Sequence, residues 1–337
     1  MDSLTQAALG AAVAEAGMGR RIGNKAILWG VALGTLPDLD ILANPWLDHI
    51  QQLEWHRGPS HSLLVMLAAS PFLGWLISKS STGKVGPILA TWTALLVLLT
   101  HSLIDVFTVY GTMIFAPITD YRVGLNNLFI IDPLFTAPLL LGLLVALFCK
   151  PVSNIRRLSN RTGIALAAVY VLWSFSAKGI AHYELARSLR AHGIPYQRLM
   201  TAPTPFNTIL WRGIAEDTEG FWIGYHSLLK PSENISFEFL PKNKKALAQI
   251  QDAESFKRLV WFSNGFLTVE QIGNAWIASD WRFGELRPSD APLSAANPAA
   301  AVFSWRLEKT GNIWKTTPLR ERRDLLPHLT QLRNRLR

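Results

Sequence analysis

Two hydrophobic rhythms divide the chain. As far as residue 177 the apolar positions run together. Ser62 to Ser78, Gly86 to Ile104, Pro133 to Cys149 and Gly163 to Ala177 approach the roughly 20 apolar residues that a membrane-spanning helix needs. Two weaker stretches precede them, Leu4 to Met18 and Ala26 to Leu42, whose Ala and Gly suit close helix packing better than contact with lipid. From Lys178 onward apolar and polar residues alternate in short runs, among them FWIGYHSLL, ISFEFL, RLVWFSNGFLTVEQI, NAWIASDWRF and AAVFSWRLE. Their aromatic and β-branched content, broken by Gly, Asn and Pro, is the pattern of strands, with the Trp residues expected in the core. The pattern predicts an α-helical membrane bundle of about six helices over residues 1–177, the first two admitting a re-entrant path. A β-rich soluble, extramembrane domain follows over 178–317, then a basic tail over 318–337 in which Pro327 interrupts any single helix. Neither half shows an internal repeat.

Charge sharpens this division. Of 33 Lys and Arg and 24 Asp and Glu, the part before residue 178 holds 11 and 9, so the net +9 splits into +2 and +7. The +7 is spread along some 160 residues without a tight basic block before the tail, so nucleic acid is not an expected partner. The loops of the apolar half are uneven: 19–25, 79–85 and 150–162 carry nine Lys or Arg, whereas 43–61 and 105–132 carry only Arg57 and Arg122. By the positive-inside rule the first set lies in the cytoplasm, and the far side receives loops 43–61 and 105–132 and the C-terminal domain. Residues 1–18 lack a basic leading region and read as a helix that stays in place. The single cysteine, Cys149, allows no intramolecular disulfide.

Candidate chemistry gathers at one end of these helices. The second apolar stretch closes on TLPDLD, with Asp38 and Asp40. The third begins after LEWHRGPSHSL, with Glu54, His56, Arg57 and His61. The fourth closes on THSLID, with His101 and Asp105. Alternating helices bring all three places to one membrane face, where polar groups need a partner or a job. His101 and Asp105, four residues apart, share one side of a helix and suit two ligands of one metal. A nitrogen and oxygen set fits zinc first, with manganese or iron also possible. Of Asp38 and Asp40, one residue apart, one can ligate while the other orients a histidine or takes a proton. Glu54 is a further acid or base candidate, Arg57 a grip for a phosphate or carboxylate, and His49 a loop residue. In the loop 105–132, Tyr121 and Arg122 suit a lip for an anionic head group, and Asp132 either caps the next helix or joins the site.

MDSLTQAALGAAVAEA, GTLPDLD, HRGPSHSLL, LLTHSLIDVFTVYGT and LNNLFIIDPLF together resemble the YdjM-like family of bacterial inner-membrane proteins, described as metal-dependent hydrolases on the strength of such motifs. The resemblance covers about residues 1–150 and implies metal ligation by Asp38, Asp40, His56, His61, His101 and Asp105. The order of these motifs is also similar to one zinc site of the zinc-dependent phospholipase C and nuclease superfamily. Where many family members have a TH pair near the start, this chain has Thr5 followed by Gln6. The expectation is a multi-pass inner (plasma) membrane hydrolase using a divalent metal, most simply zinc. Asp40, Arg57 and Glu54 would assist at its site, and a membrane lipid or phosphoester would be its substrate. The alternative is a non-catalytic metal or proton transporter, or a scaffold recruiting a partner through the β-rich domain.

Overall fold

The computed structural model describes residues 1–230, 234–285, 301–311, 313–319, 330, 332, 333 and 335. The chain separates into two compact units. The first comprises Met1–Trp46, Glu54–Phe175 and Pro205–Asn207; the second comprises Leu47–Leu53, Ser176–Thr204 and Thr208–Arg337. The described helices before the first strand are α1 (Ser3–Ile22), α2 (Asn24–Thr35), α3 (His49–Trp55), α4 (Leu63–Ser80), α5 (Pro87–Val106), α6 (Pro133–Phe148) and α7 (Asn154–Ala191).

Their starts are written in local chemistry. Asp2 caps α1 by accepting from Thr5 N, Ser62 caps α4 by accepting from Leu64 N, and Asp132 caps α6 by accepting from Leu134 N. Pro87 and Pro133 open α5 and α6, where a missing N–H costs nothing. Among the described residues α4, α5 and α7 are long and apolar enough to cross a membrane. A fourth, broken span arises if α2 is joined across a 45° bend to the 3₁₀ segment Pro37–Trp46. Leu67, Phe72 and Trp75 on α4, Leu141 and Leu144 on α6, and Val169 and Leu172 on α7 are exposed, as lipid-facing side chains must be.

Several boundaries differ from the sequence expectation: α7 runs past Ala177 to Ala191, RLVWFS lies in a helix, Glu254–Ser263, instead of a strand, and two further ends shift. The second helix stops at Thr35 rather than running to Leu42. Pro37 brings no N–H to the Leu33 carbonyl, which takes the Leu36 N–H instead at 3.4 Å, and the chain tightens into the 3₁₀ run. The expected loop 150–162 is helical from Asn154, because its basic residues are good helix formers and only its first residues break.

The Ala and Gly of α1 and α2 are spent on approach. A Cβ on Gly30 would lie 2.3 Å from the Gly10 carbonyl oxygen, and one on Gly10 would lie 2.4 Å from that of Gly30. Around this contact Ala8, Ala11, Ala12 and Ile27 pack with Ile104, Phe107, Leu128, Phe135 and Leu139 from α5, the following loop and α6. Tight α1–α2 packing therefore fixes the backbone of α2 against the end of α5, where His101 stands.

In the second unit β1 (Arg198–Pro203), β2 (Leu210–Glu216), β3 (Gly220–Ser227) and β4 (Phe237–Pro241) form one antiparallel meander. After α8 (Lys244–Ile250) and α9 (Glu254–Ser263), β5 (Leu267–Ile272), β6 (Ala275–Glu285), β7 (Ala301–Thr310) and β8 (Ile313–Pro318) form a second. Trp211 and Trp281 are fully buried, Trp281 donating from Nε1 to Thr268 Oγ1 at 2.8 Å, so these indoles are core. Arg212 on β2 joins the sheets, donating to the Trp281 carbonyl at 2.6 Å and to Glu285 Oε2 at 2.9 Å. A helix followed by a four-strand meander thus occurs twice, a repetition of topology that the residues themselves do not display. The expected tail at 318–337 lies largely outside the described residues.

Candidate metal centre

Three elements of the first unit end at one place. Asp38 comes from the 3₁₀ segment after α2, His61 from the 3₁₀ turn Pro59–His61 before α4, and His101 with Asp105 from the last turns of α5. One ligand atom from each lies within 4.8 Å of the others. His61 Nε2 is 3.1 Å from His101 Nε2, 3.3 Å from Asp38 Oδ1 and 3.3 Å from Asp105 Oδ2; His101 Nε2 is 3.6 Å from Asp38 Oδ1 and 3.9 Å from Asp105 Oδ2. A tetrahedron with metal–ligand bonds of about 2.0–2.1 Å has edges of about 3.3–3.4 Å, which the spacings of 3.1–3.6 Å approach and the 3.9 Å one exceeds.

The proton positions make the same point. His101 Nδ1 lies 2.6 Å from the Gly34 carbonyl, which can only accept, so Nδ1 carries a proton and, with no second proton on the ring, Nε2 keeps a lone pair. Ser60 Oγ donates to Asp40 Oδ2 at 3.0 Å and therefore accepts from His61 Nδ1 at 2.9 Å, which leaves His61 Nε2 in the same state. Two lone pairs and two carboxylate oxygens thus converge, and neither Asp38 Oδ1 nor Asp105 Oδ2 makes a well-formed hydrogen bond. Such an assembly could hold a divalent cation at its middle. Burial pushes the His61 pKa down, but hydrogen bonds and negative charge from Asp105 and Asp38 outweigh it and hold the pKa above the ordinary value. A proton and a metal would compete for this place.

Asp40 stands behind the group rather than in it. Its Oδ1 accepts from His56 Nδ1 at 2.9 Å, and its Oδ2 accepts from Arg57 N and Ser60 Oγ, each at 3.0 Å. His56 is correspondingly outside the four, with 27% of its side chain exposed. Arg57 is buried and turned inward: its Nε is 3.1 Å from Asp105 Oδ2, its Nη1 donates to Thr108 Oγ1 at 2.9 Å, and its guanidinium lies 4.9 Å from the Tyr110 ring. It holds a left-handed backbone conformation, φ 57°, a strain tolerated where the surroundings fix the residue. Glu54 is half-buried on α3 and His49 opens the same helix, neither among the four. Asp132 caps α6 and accepts from Tyr170 Oη at 2.9 Å. Arg122 donates to the His56 and Gly111 carbonyls at 3.0 and 3.1 Å, whereas Tyr121 is exposed.

Sequence reasoning missed several contributors. Gln6 donates from Nε2 to Asp105 Oδ1 at 2.9 Å, as does the Met1 amino group, and Ser60 and the Gly34 carbonyl set the two imidazoles. Ser60 had a visible signal, since it adjoins His61; Gln6 stood out only as the residue in place of the family's histidine, and Gly34 only as the first residue of GTLPDLD.

Fold and site define a helical membrane protein with a β domain, carrying at one end of its bundle a His and Asp group able to hold a divalent ion. The chain belongs to the YdjM inner membrane protein family, whose model matches residues 1–183. No curated protein and no solved structure matches it.

Proposed function

We propose that the protein is a membrane-bound, metal-dependent hydrolase acting on a phosphoester, such as that of a lipid, at the outer face of the inner membrane, with its C-terminal domain in the periplasm. The observation that carries this reading is the convergence of two imidazole lone pairs and two carboxylate oxygens at tetrahedral-edge spacing. Asp38, His61, His101 and Asp105 would hold the ion. When bound, a divalent ion supplies an activated water and polarises the ester.

The remaining residues serve this arrangement. Ser60, oriented by Asp40, and the Gly34 carbonyl aim His61 and His101. Arg57 offsets the buried charge of Asp105. His56, with Asp40 on its Nδ1, presents an accessible ring backed by a carboxylate and is placed to accept a proton from water. Four protein ligands would fill a tetrahedral shell, so an activated water would call for an ion that takes a further ligand, as zinc, manganese or iron could. Asp38 is the accessible edge of the group, with 19% of its side chain exposed against 0–1% for the others. Support for the outer face comes from the nine-to-two distribution of Lys and Arg between alternate loops.

The test has two stages. Detergent-purified full-length protein should contain near-stoichiometric zinc, manganese or iron by elemental mass spectrometry, and should then release phosphate or a headgroup from a phospholipid or phosphoester panel, with His56→Gln inactive but metal-loaded. Well-folded protein that takes up no metal after reconstitution sinks the proposal; metal without turnover on the panel leads instead to the transporter or scaffold reading.

A further inference from the structure

A second polar cluster lies near the other end of α1. Arg20 is 14 residues beyond Gln6, roughly 21 Å along the helix axis. There Glu15 of α1 and Arg156 of α7 form a buried bidentate pair, Nε to Oε1 and Nη2 to Oε2, both 2.6 Å. Arg156 Nη1 also donates to Asn24 Oδ1 at 2.8 Å and to the Ala146 and Cys149 carbonyls at 2.8 and 3.0 Å. The pair is a neutral clamp with its donors committed. A Cβ on Gly19 would lie 2.1 Å from Glu15 Oε1, so the bare glycine lets this carboxylate lie along the helix.

Around the clamp opens a small cavity of about 80 Å³. Besides Glu15 and Arg156, its lining includes Arg20, Arg157, Arg161 and Asn160. The three further arginines are exposed, and the sole acid of the lining, Glu15, is neutralised by Arg156. Asn160 is 2% exposed; its Nδ2 donates to the Ala12 carbonyl at 2.9 Å, while its Oδ1 accepts from no described group. Three cations over a neutral floor attract an anion, and an idle buried amide oxygen awaits a donor. Val152 and Leu158, both 68% exposed, flank the arginines on the chain and offer an apolar approach.

We propose that this cavity binds the phosphate of an anionic ligand, with Arg20, Arg157 and Arg161 on the phosphate oxygens and Asn160 Oδ1 accepting from a hydroxyl of the ligand. Phosphate carried by a glycerol headgroup, as in phosphatidylglycerol, supplies both features and arrives from the membrane; inorganic phosphate supplies the same anion from water. Basic pockets between helices at a membrane face hold such headgroups by this chemistry. The site is separate from the metal group and independent of any hydrolase activity.

The test uses the full chain in detergent, with lipid retention read by native mass spectrometry and thermal stability read in parallel. Wild type should retain phosphatidylglycerol over phosphatidylcholine. Arg20→Gln with Arg161→Gln should lower that retention by roughly tenfold or more, whereas Arg21→Gln with Lys25→Gln, an equal loss of charge in the adjoining turn and outside the cavity, should leave it near wild type. All four side chains are exposed, and Arg157→Gln gives a smaller step should the double variant elute abnormally. Stabilisation by inorganic phosphate alone, abolished by the cavity pair, would uphold the phosphate site and assign it to the soluble anion. Equal losses from the two pairs would reduce the effect to diffuse surface charge and overturn the proposal. So would a wild type that neither prefers phosphatidylglycerol nor responds to phosphate.

Discussion

His61 and His101 face each other through Nε2 at 3.1 Å, while Nδ1 of each ring is turned to an acceptor, the Ser60 hydroxyl and the Gly34 carbonyl. With both rings neutral the two Nε2 lone pairs could share one cation, whereas a proton on His61, whose pKa is raised, lets its Nε2 donate to His101 Nε2. His61→Ala and His101→Ala are each expected to remove bound metal to near background while the protein keeps its size-exclusion profile. Elemental analysis of the three proteins side by side checks this; metal retained at wild-type level in both variants would contradict the assignment.

Asp40 acts through its neighbours. Asp40→Asn preserves shape but loses charge and one acceptor among three hydrogen bonds, to His56, Arg57 and Ser60. Groups that orient metal-binding histidines typically contribute about 10–100-fold in metal affinity. Chelator competition should show a loss of that order with the fold intact. An affinity equal to wild type would mean that Ser60 alone aims His61.

Arg57 and Asp105 give a stability test of the same region. Arg57→Gln leaves the Asp105 carboxylate, which is fully buried, without its guanidinium neighbour 3.1 Å away. Breaking a buried pair from one side costs about 3–5 kcal/mol. The variant should melt well below wild type in the apo state and recover part of the loss on adding metal, because a cation neutralises the same oxygen. A melting curve superimposable on wild type would show that the arginine carries no such duty.

How far the chain announced this site can be judged residue by residue. His101 and Asp105 were legible because four residues is one helical turn, and the structure places both on the inner side of α5. The meeting of PDLD, HRGPSHS and HSLID followed from alternating helices, a rule of topology that holds without coordinates. Which aspartate meets the ion was not legible, since Pro37 converts the helix end into a 3₁₀ run whose turn decides it. The inward direction of Arg57 was hidden too: a left-handed φ at a non-glycine residue leaves no composition signal. In the second unit most of the quoted runs proved to be strands, but RLVWFS, also expected as strand, closes α9, where Phe256, Leu259 and Phe262 bury one helical face; the pairing order and the repeated helix-and-meander plan depend on long-range contacts.

The approach of α1 to α2 is a stability prediction of another kind. Gly30→Ala would set a methyl group 2.3 Å from the Gly10 carbonyl oxygen, backbone that has no rotamer to retreat into. Overpacking of this sort costs about 1–3 kcal/mol, and more where backbone must move. Thermal unfolding in detergent should drop accordingly, and metal affinity with it, since Gly34 on the same helix accepts from His101. A variant as stable as wild type would show that the two helices can separate freely.

The β domain supplies a pH test independent of the metal group. Burial pushes the Glu216 carboxyl upward, but hydrogen bonds and charge from Lys242 and Arg198 win and hold its pKa below the ordinary 4.5. A carboxylate depressed on folding stabilises the protein above that ordinary value, and its contribution is lost as pH falls through the folded value. Glu216→Gln should therefore be less stable than wild type at neutral pH and should lose less on acidification below about 4.5. Tryptophan fluorescence melts of both proteins across that range decide it; parallel curves would assign the acid response to other groups.

Asp38 differs from its three companions in what carries it. His101 and Asp105 belong to a helix packed on several sides and His61 to a short turn pinned between Gly58 and the start of α4, whereas Asp38 rides on a ten-residue 3₁₀ run whose Leu39, Ile41, Leu42 and Trp46 are exposed. Were an ion to bind, its way in would run past Asp38: the other three donors sit on α5 and the Pro59–His61 turn, and displacement of the one exposed 3₁₀ segment would open the group.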